Sequence, residues 1–191
     1  GAPATVDVGI HDVELQVQDA GGLVYTQAFS IDVAVKPPPV IVPDTFSTTD
    51  PLGAHWQFSA PSGDIRLALS GSNAYILVPS GTAHDLWTTP KNSAPRLLQD
   101  FSGQDFAIEA KFDSTYDAVS HQMQGLIAQS SPDTFVRCGA YSDGSSVYAF
   151  VAVVEGSSST IHVNQVIPNV AESLYFRLIR ESWTWECAYS T

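Results

Sequence analysis

Apolar residues in this chain recur at every second position, in short runs separated by turn-forming residues. That period of two constrains the fold more than any other feature. Val13, Leu15 and Val17 alternate with Asp12, Glu14, Gln16 and Gln18, and Asp19-Ala20-Gly21-Gly22 follows as a turn. Then Phe29, Ile31, Val33 and Val35 alternate with Ser30, Asp32 and Ala34. The two runs predict a β-hairpin with one buried face. A sustained helical period is almost nowhere to be found.

Lys36-Pro37-Pro38-Pro39 breaks the pattern. Consecutive prolines cannot donate to a strand ladder and favour polyproline II, a stiff spacer, so a Pro-rich linker is expected at 37–43. From Asp44 to the end a second alternating system runs, with strands expected at 65–69, 75–78, 105–112, 124–129, 134–140, 147–154, 160–166, 174–180 and 184–189. Ser70-Gly71-Ser72-Asn73, Ser130-Ser131-Pro132-Asp133, Ser142-Asp143-Gly144-Ser145 and Glu155-Gly156-Ser157 separate them as turns. So many short strands predict two packed sheets. With 44% hydrophobic residues, the chain has enough apolar material for a sizeable core.

Charge narrows the partners. The net charge is −12, with only eight Lys and Arg in all, so no basic patch for a nucleic-acid backbone can be assembled. Anionic membrane surfaces are disfavoured for the same reason, and no run of 18 apolar residues exists to insert into a bilayer. Charged residues make up 15%, and polarity comes instead from Ser, Thr, Asn, Gln and Gly, a texture common in extracellular β-proteins. Gly1 opens directly into strand-like sequence, so an export signal is expected upstream. Cys138 and Cys187 stand alone and cannot supply a four-ligand zinc site. One disulfide between them and two buried free thiols are both open.

The second system carries an ordered series of motifs. Asp44-Thr45-Phe46-Ser47, Trp56 and Gly63-Asp64 come first, then His84-Asp85-Leu86-Trp87 with Asn92 and Ala94-Pro95-Arg96-Leu97-Leu98-Gln99. Asp105-Phe106, Glu109-Ala110-Lys111, Gln124-Gly125-Leu126-Ile127, Phe135-Val136-Arg137, Leu174-Tyr175-Phe176-Arg177-Leu178 and Tyr189-Ser190-Thr191 complete it. Residues 44–191 thereby resemble the concanavalin-A-like, laminin-G-like jelly roll found at the C-terminus of some bacterial β-xylosidases and in many large secreted bacterial proteins. Residues 1–36 are similar to the last strands of an immunoglobulin-like or cadherin-like domain. The fold class expected is therefore all-β, a two-sheet jelly-roll sandwich preceded by a partial immunoglobulin-like β-segment. In the resembled family Tyr189-Ser190-Thr191 would lead into a further turn and strand, so both ends are expected to fall inside folding units. That reads either as an arbitrary cut or as sheets completed by neighbouring copies.

No constellation for catalysis emerges. The five histidines, His11, His55, His84, His121 and His162, form no metal-binding pair, and there is no nucleophile elbow and no phosphate loop. Glu109 and Asp113 are the carboxylates that glycosidase chemistry would call on, but Glu109 lies beside Lys111 on an expected strand, where an ion pair is the plainer role. The resembled domain is generally an accessory to enzymes, so no enzyme is expected.

Binding has better candidates. A sugar is recognised by an aromatic face for its C–H surface and by amides and charged groups for its hydroxyls. Trp87, with His84, Asp85, Asn92 and Arg96 close in sequence, is the expected carbohydrate-binding group; the alternative is that Trp87 plugs one end of the sandwich. Trp183 and Trp185 are two apart and would face the same side of a strand. Tyr141 and Tyr148 flank an expected hairpin. No cofactor is expected beyond calcium, for which Asp7, Asp12 and Asp19 near the strand ends are the candidate ligands. Two functions follow as expectations. One is a structural module of a bacterial extracellular or cell-surface protein, a filament or fibre subunit joined to copies of itself, or to neighbouring domains of a long chain, by β-strand complementation. The other is a carbohydrate-binding accessory module that meets polysaccharide.

Overall fold

The computed structural model describes residues 9–33, 41–47, 52–87, 93–102, 105–116, 120–170 and 173–191. The chain divides into two compact units, Gly1–Pro39 and Val40–Thr191. All regular secondary structure among the described residues is β, and every strand pairing is antiparallel. The proline run expected at the boundary lies outside the described residues.

The first unit contains the predicted hairpin, β1 (Gly9–Gln18) and β2 (Val24–Val33). Asp19 makes its turn: the Asp19 Oδ1 accepts the N–H of Gly21 at 2.9 Å and of Leu23 at 2.8 Å, while Gly22 takes the positive φ the reversal needs. Val13 lies opposite Phe29, His11 opposite Ile31 and Val17 opposite Tyr25. One face is thus apolar and the other polar, where the Ser30 hydroxyl donates to Asp12 Oδ1 at 2.7 Å. The expectation of a buried face is corrected. Val17 is 67% exposed and Tyr25 72%, because a two-stranded ribbon has no second layer of its own to cover it.

The second unit is a β-sandwich. Its first part holds β3 (Gln57–Ser59), the hairpin β4 (Arg66–Ser70) and β5 (Asn73–Leu77), and β6 (Arg96–Leu98), with β3 paired to β6. Then come β7 (Phe106–Phe112), β8 (Ser120–Ser131), β9 (Thr134–Asp143), β10 (Val147–Glu155), β11 (Ser158–Val166), β12 (Leu174–Glu181) and β13 (Thr184–Ser190). Four strands form one sheet in the order β11-β10-β9-β8, and three form the other in the order β13-β12-β7. β3 and β6 have no counterpart in the sequence reading, since three residues are too few to show a period.

Strand parity sets the core. Val136, Cys138 and Ala140 of β9 and Val147 and Ala149 of β10 face Leu174, Phe176 and Leu178 of β12, with Ile108 and Phe112 of β7 alongside. Leu174, Phe176 and Leu178 are each at most 1% exposed, and burying such side chains contributes about 1.5–3 kcal/mol apiece. Cys138 and Cys187 are joined in a disulfide, Cα to Cα 5.8 Å, which ties β9 in one sheet to β13 in the other through that core.

The start of the unit is fastened by side chains. Gln99 donates to the Val42 carbonyl and accepts its N–H, both at 2.8 Å, so the amide acts as a strand partner. Asp44 accepts the Phe46 N–H at 2.7 Å and the Trp56 indole N–H at 2.9 Å, and these bonds hold its carboxyl below the usual carboxylate range.

Candidate functional site

The four-stranded sheet has a second face, turned away from the three-stranded sheet. On β9 it carries Phe135, Arg137, Gly139 and Tyr141, the residues alternating with the core set. Register places Met123 and Tyr148 on either side of Tyr141, and Gly125 and Phe150 on either side of Gly139, with Asn164 beyond Phe150. Neither glycine of the cross-strand pair has room for a side chain. A Cβ on Gly139 would fall 2.8 Å from the Gly125 Cα and closer still to the Gln124 carbonyl oxygen. The pair leaves a trough between flanking side chains.

Aromatic rings line that trough. Phe150, 7% exposed, is its floor. Trp87 meets Phe150 at 5.8 Å between ring centroids and 76° between planes, and Tyr141 meets it at 5.5 Å and 89°. Tyr141 also stacks on Tyr148 at 5.0 Å and 12°. The Tyr141 hydroxyl donates to Asn164 Oδ1 at 3.0 Å. The hairpin carrying both tyrosines is braced by Asp143 Oδ1, which accepts the N–H groups of Ser145 and Ser146 at 2.8 Å each. Hydrogen bonding to Asp143 raises the Tyr148 phenol above its ordinary value. Met123 and Asn164 are solvent-exposed, so the trough is open there.

Among the described residues, Arg137 brings a cation to this face. The Arg137 guanidinium carbon sits 5.2 Å from the Phe150 centroid, its Nη2 reaches Met123 Sδ at 3.4 Å, and its Nη1 is buried with no hydrogen-bond partner. Burial pulls its pKa down to about 10, with the Asp85 carboxylate opposing the shift, and it is charged at neutral pH. Strand irregularities border the trough. β8 bulges between Ser120 and Met123, where His121 has φ 69°, and β11 shifts register opposite Val151 and Ala152. Bulges bend a strand and re-aim side chains, and they concentrate next to functional sites.

The sequence candidates divide. Trp87 and Asp85 reach this site: Trp87 through Phe150, Asp85 through its field at Arg137 and through its Oδ1, which accepts the Trp87 N–H at 2.7 Å and fixes the loop. The Asp85 carbonyl and N–H are both tied to Ser93. His84 does not join them. Its side chain is 3% exposed and its Nε2 is 3.0 Å from Asp64 Oδ1. Arg96 is likewise structural, at 4% exposure with Nη2 donating to the Pro132 carbonyl at 3.3 Å, because β6 carries it to the β8–β9 turn. Asn92 lies outside the described residues. Sequence reading passed over Arg137, Phe150, Met123 and Asn164 as site residues, although Arg137 and Tyr141 share the parity opposite to Cys138 and Ala140.

Among the described residues, the remaining candidates form no second site. Trp183, 91% exposed, sits in the β12–β13 turn, whereas Trp185 packs edge-on to Phe106 at 5.9 Å, so the pair makes no platform. Asp12 lies within β1 and Asp19 in the turn just past its end, seven positions on and roughly 20 Å away along the extended strand, so they cannot share an ion; Asp7 lies outside the described residues. Among the described residues no group of three His, Cys, Asp or Glu could hold a metal. Lys111 pairs with Asp113 at 2.7 Å, and Asp113 also accepts from the Ser173 hydroxyl at 2.8 Å.

Comparison with protein-family models finds no match, and comparison with curated proteins finds none either. Among solved structures, the fold is similar to part of the GH43 protein BlXynB from Bacillus licheniformis, with a TM-score of 0.63 and 14% sequence identity. The likeness covers 92% of this chain and 34% of that one, so the chain spans about a third of the length of the protein it resembles.

Proposed function

We propose that the second unit is a non-catalytic, jelly-roll carbohydrate-binding module of a secreted or cell-surface protein. The observation that carries this reading is the trough itself. Trp87, Tyr141 and Tyr148, partly exposed and with Trp87 and Tyr141 packed on the buried Phe150, offer ring surface for the C–H faces of a sugar, and Arg137 and Asn164 stand among them to meet its polar groups. The likeness to one part of a GH43 protein supports an accessory role beside a glycan-active domain. The Cys138–Cys187 disulfide supports an oxidising, extracellular location. Affinity electrophoresis through gels containing xylan, arabinan, polygalacturonate or alginate tests the reading. Retardation in at least one gel, lost in Trp87→Ala, is expected; unretarded migration in all of them overturns it.

A second reading rests on the first unit. The hairpin exposes Leu15, Val17, Tyr25, Phe29 and Ile31 on one face, which favours a structural module whose hairpin completes a sheet in a neighbouring copy or domain. Sedimentation of the whole chain separates the two. Concentration-dependent association that Val17→Lys with Tyr25→Lys abolishes supports assembly, and a monomer throughout removes it.

A further inference from the structure

The trough contains an unbalanced feature that neutral sugar hydroxyls alone do not explain. Arg137 has five guanidinium donors in a planar fork. Among the described contacts, Nη2 meets only a thioether, a weak acceptor, and Nη1 is buried without a partner. A guanidinium withdrawn from water and left with unfilled donors is costly, and the group that best fills the fork is a carboxylate taken by two parallel hydrogen bonds. The face is open on the β8 side of the guanidinium, where Met123, whose sulfur Arg137 touches, and the side-chain-free Gly125 are both exposed; Asn164 is exposed on the opposite outer strand, β11. Tyr141 and Tyr148 provide ring surface within the same three strands for the sugar that bears the carboxylate.

The geometry points to a uronic-acid residue as the sugar this trough selects, with its carboxylate on Arg137 and its ring against Tyr141 and Trp87. This rests on the carbohydrate-binding reading and narrows it from glycans in general to acidic ones. Of the chain's net charge of −12, the Asp85 carboxylate acts at close range, where it favours the charged guanidinium and opposes a second carboxylate beside it, so the gain must come from filling the fork's donors. At physiological salt, exposed charges more than about 8 Å away are largely screened, while a partly buried pair is screened far less.

The test compares two forms of one polymer. Polygalacturonate and carboxyl-reduced polygalacturonate differ in the carboxylate and in little else, so the wild-type protein can be used without a variant. Affinity electrophoresis in both gels should show retardation by the acidic form and at least about tenfold weaker binding to the reduced form, the range expected for losing a charged hydrogen-bonded pair. Alginate and its reduced form repeat the comparison with a different uronate. Arg137→Met should remove the preference, and Arg137→Lys should keep only part of it, because a point charge does not replace the fork. Equal binding to acidic and reduced polymers, or preference for neutral xylan, overturns the uronate inference and leaves the carbohydrate reading standing. No retardation by any polysaccharide, acidic or neutral, overturns both.

Discussion

The Arg137 guanidinium carbon lies 5.2 Å from the centroid of the Phe150 ring, a cation held over an aromatic face in the middle of a sheet. Phe150 is the shared support of the site, since Trp87 and Tyr141 both pack edge-on against the same ring. Truncating it should be costly. Phe150→Ala is expected to lose about 3–5 kcal/mol of stability, seen as a lower midpoint in chemical denaturation. The same variant should no longer bind polysaccharide even where it remains folded. A loss below about 1 kcal/mol would mean the ring is not the support described.

Trp87→Ala and Tyr141→Ala separate binding from folding. Both side chains are partly exposed, so each variant should shift the denaturation midpoint less than Phe150→Ala does. Each should nonetheless reduce polysaccharide retention about tenfold or more, as losing a stacked ring does at buried contact centres. Trp183→Ala, at the turn on the other sheet, should leave retention unchanged; if it alone abolishes retention, the binding surface has been misplaced.

The disulfide closes a long loop, 49 residues apart in sequence. Chain-entropy arguments assign such a cross-link about 4 kcal/mol. Reductant, or Cys187→Ser, should therefore lower the thermal midpoint by roughly 8–16 °C for a unit of this size. An unchanged midpoint, with intact mass showing that no hydrogens are gained on reduction, would contradict the bridge.

Asp44 gives the fold an acid-sensitive fastening. Its folded pKa is depressed by the Phe46 N–H first, then by the Trp56 indole, with His55 adding a smaller Coulombic pull. A depressed carboxylate stabilises the fold above its ordinary value near 3.8 and loses that contribution as the pH falls through the folded value. Thermal midpoints should therefore drop on acidification below about pH 4. Asp44→Asn should be less stable at neutral pH and flatter across that window; identical profiles for the two proteins would remove Asp44 from this role.

Gly139 tests the trough floor. Gly139→Ala must push β8 and β9 apart, because the added carbon meets the Gln124 carbonyl and the Gly125 Cα. A destabilisation of about 1–3 kcal/mol is expected in urea unfolding. Wild-type stability would show that the strands are not so close.

The sequence made the strands legible because alternation is a local signal. Turns such as Ser70-Gly71-Ser72-Asn73 and Glu155-Gly156-Ser157 fall where Gly71 and Gly156 adopt the positive φ that ends one strand and starts the next. The site was less legible. Trp87 and Asp85 stood out because they are close in sequence and rich in chemistry. His84 and Arg96 share that neighbourhood, yet the loop folds them inward to Asp64 and Pro132. Arg137 and Phe150 meet only because β9 and β10 pair in register, opposite Ala152 and Gly139 respectively. Such a site is a property of strand pairing, which no spacing along one strand reveals.

Residue-resolved NMR of the isotopically labelled chain shows where on the molecule a sugar binds. Titration with oligogalacturonate should shift the backbone amides of Met123, Arg137, Gly139, Tyr141, Phe150 and Asn164 and the Trp87 indole N–H, and leave the Trp183 turn and the β1–β2 hairpin unmoved. Saturating oligogalacturonate and xylohexaose that both leave the trough resonances in place, or shifts confined to another surface, would contradict sugar binding in the trough.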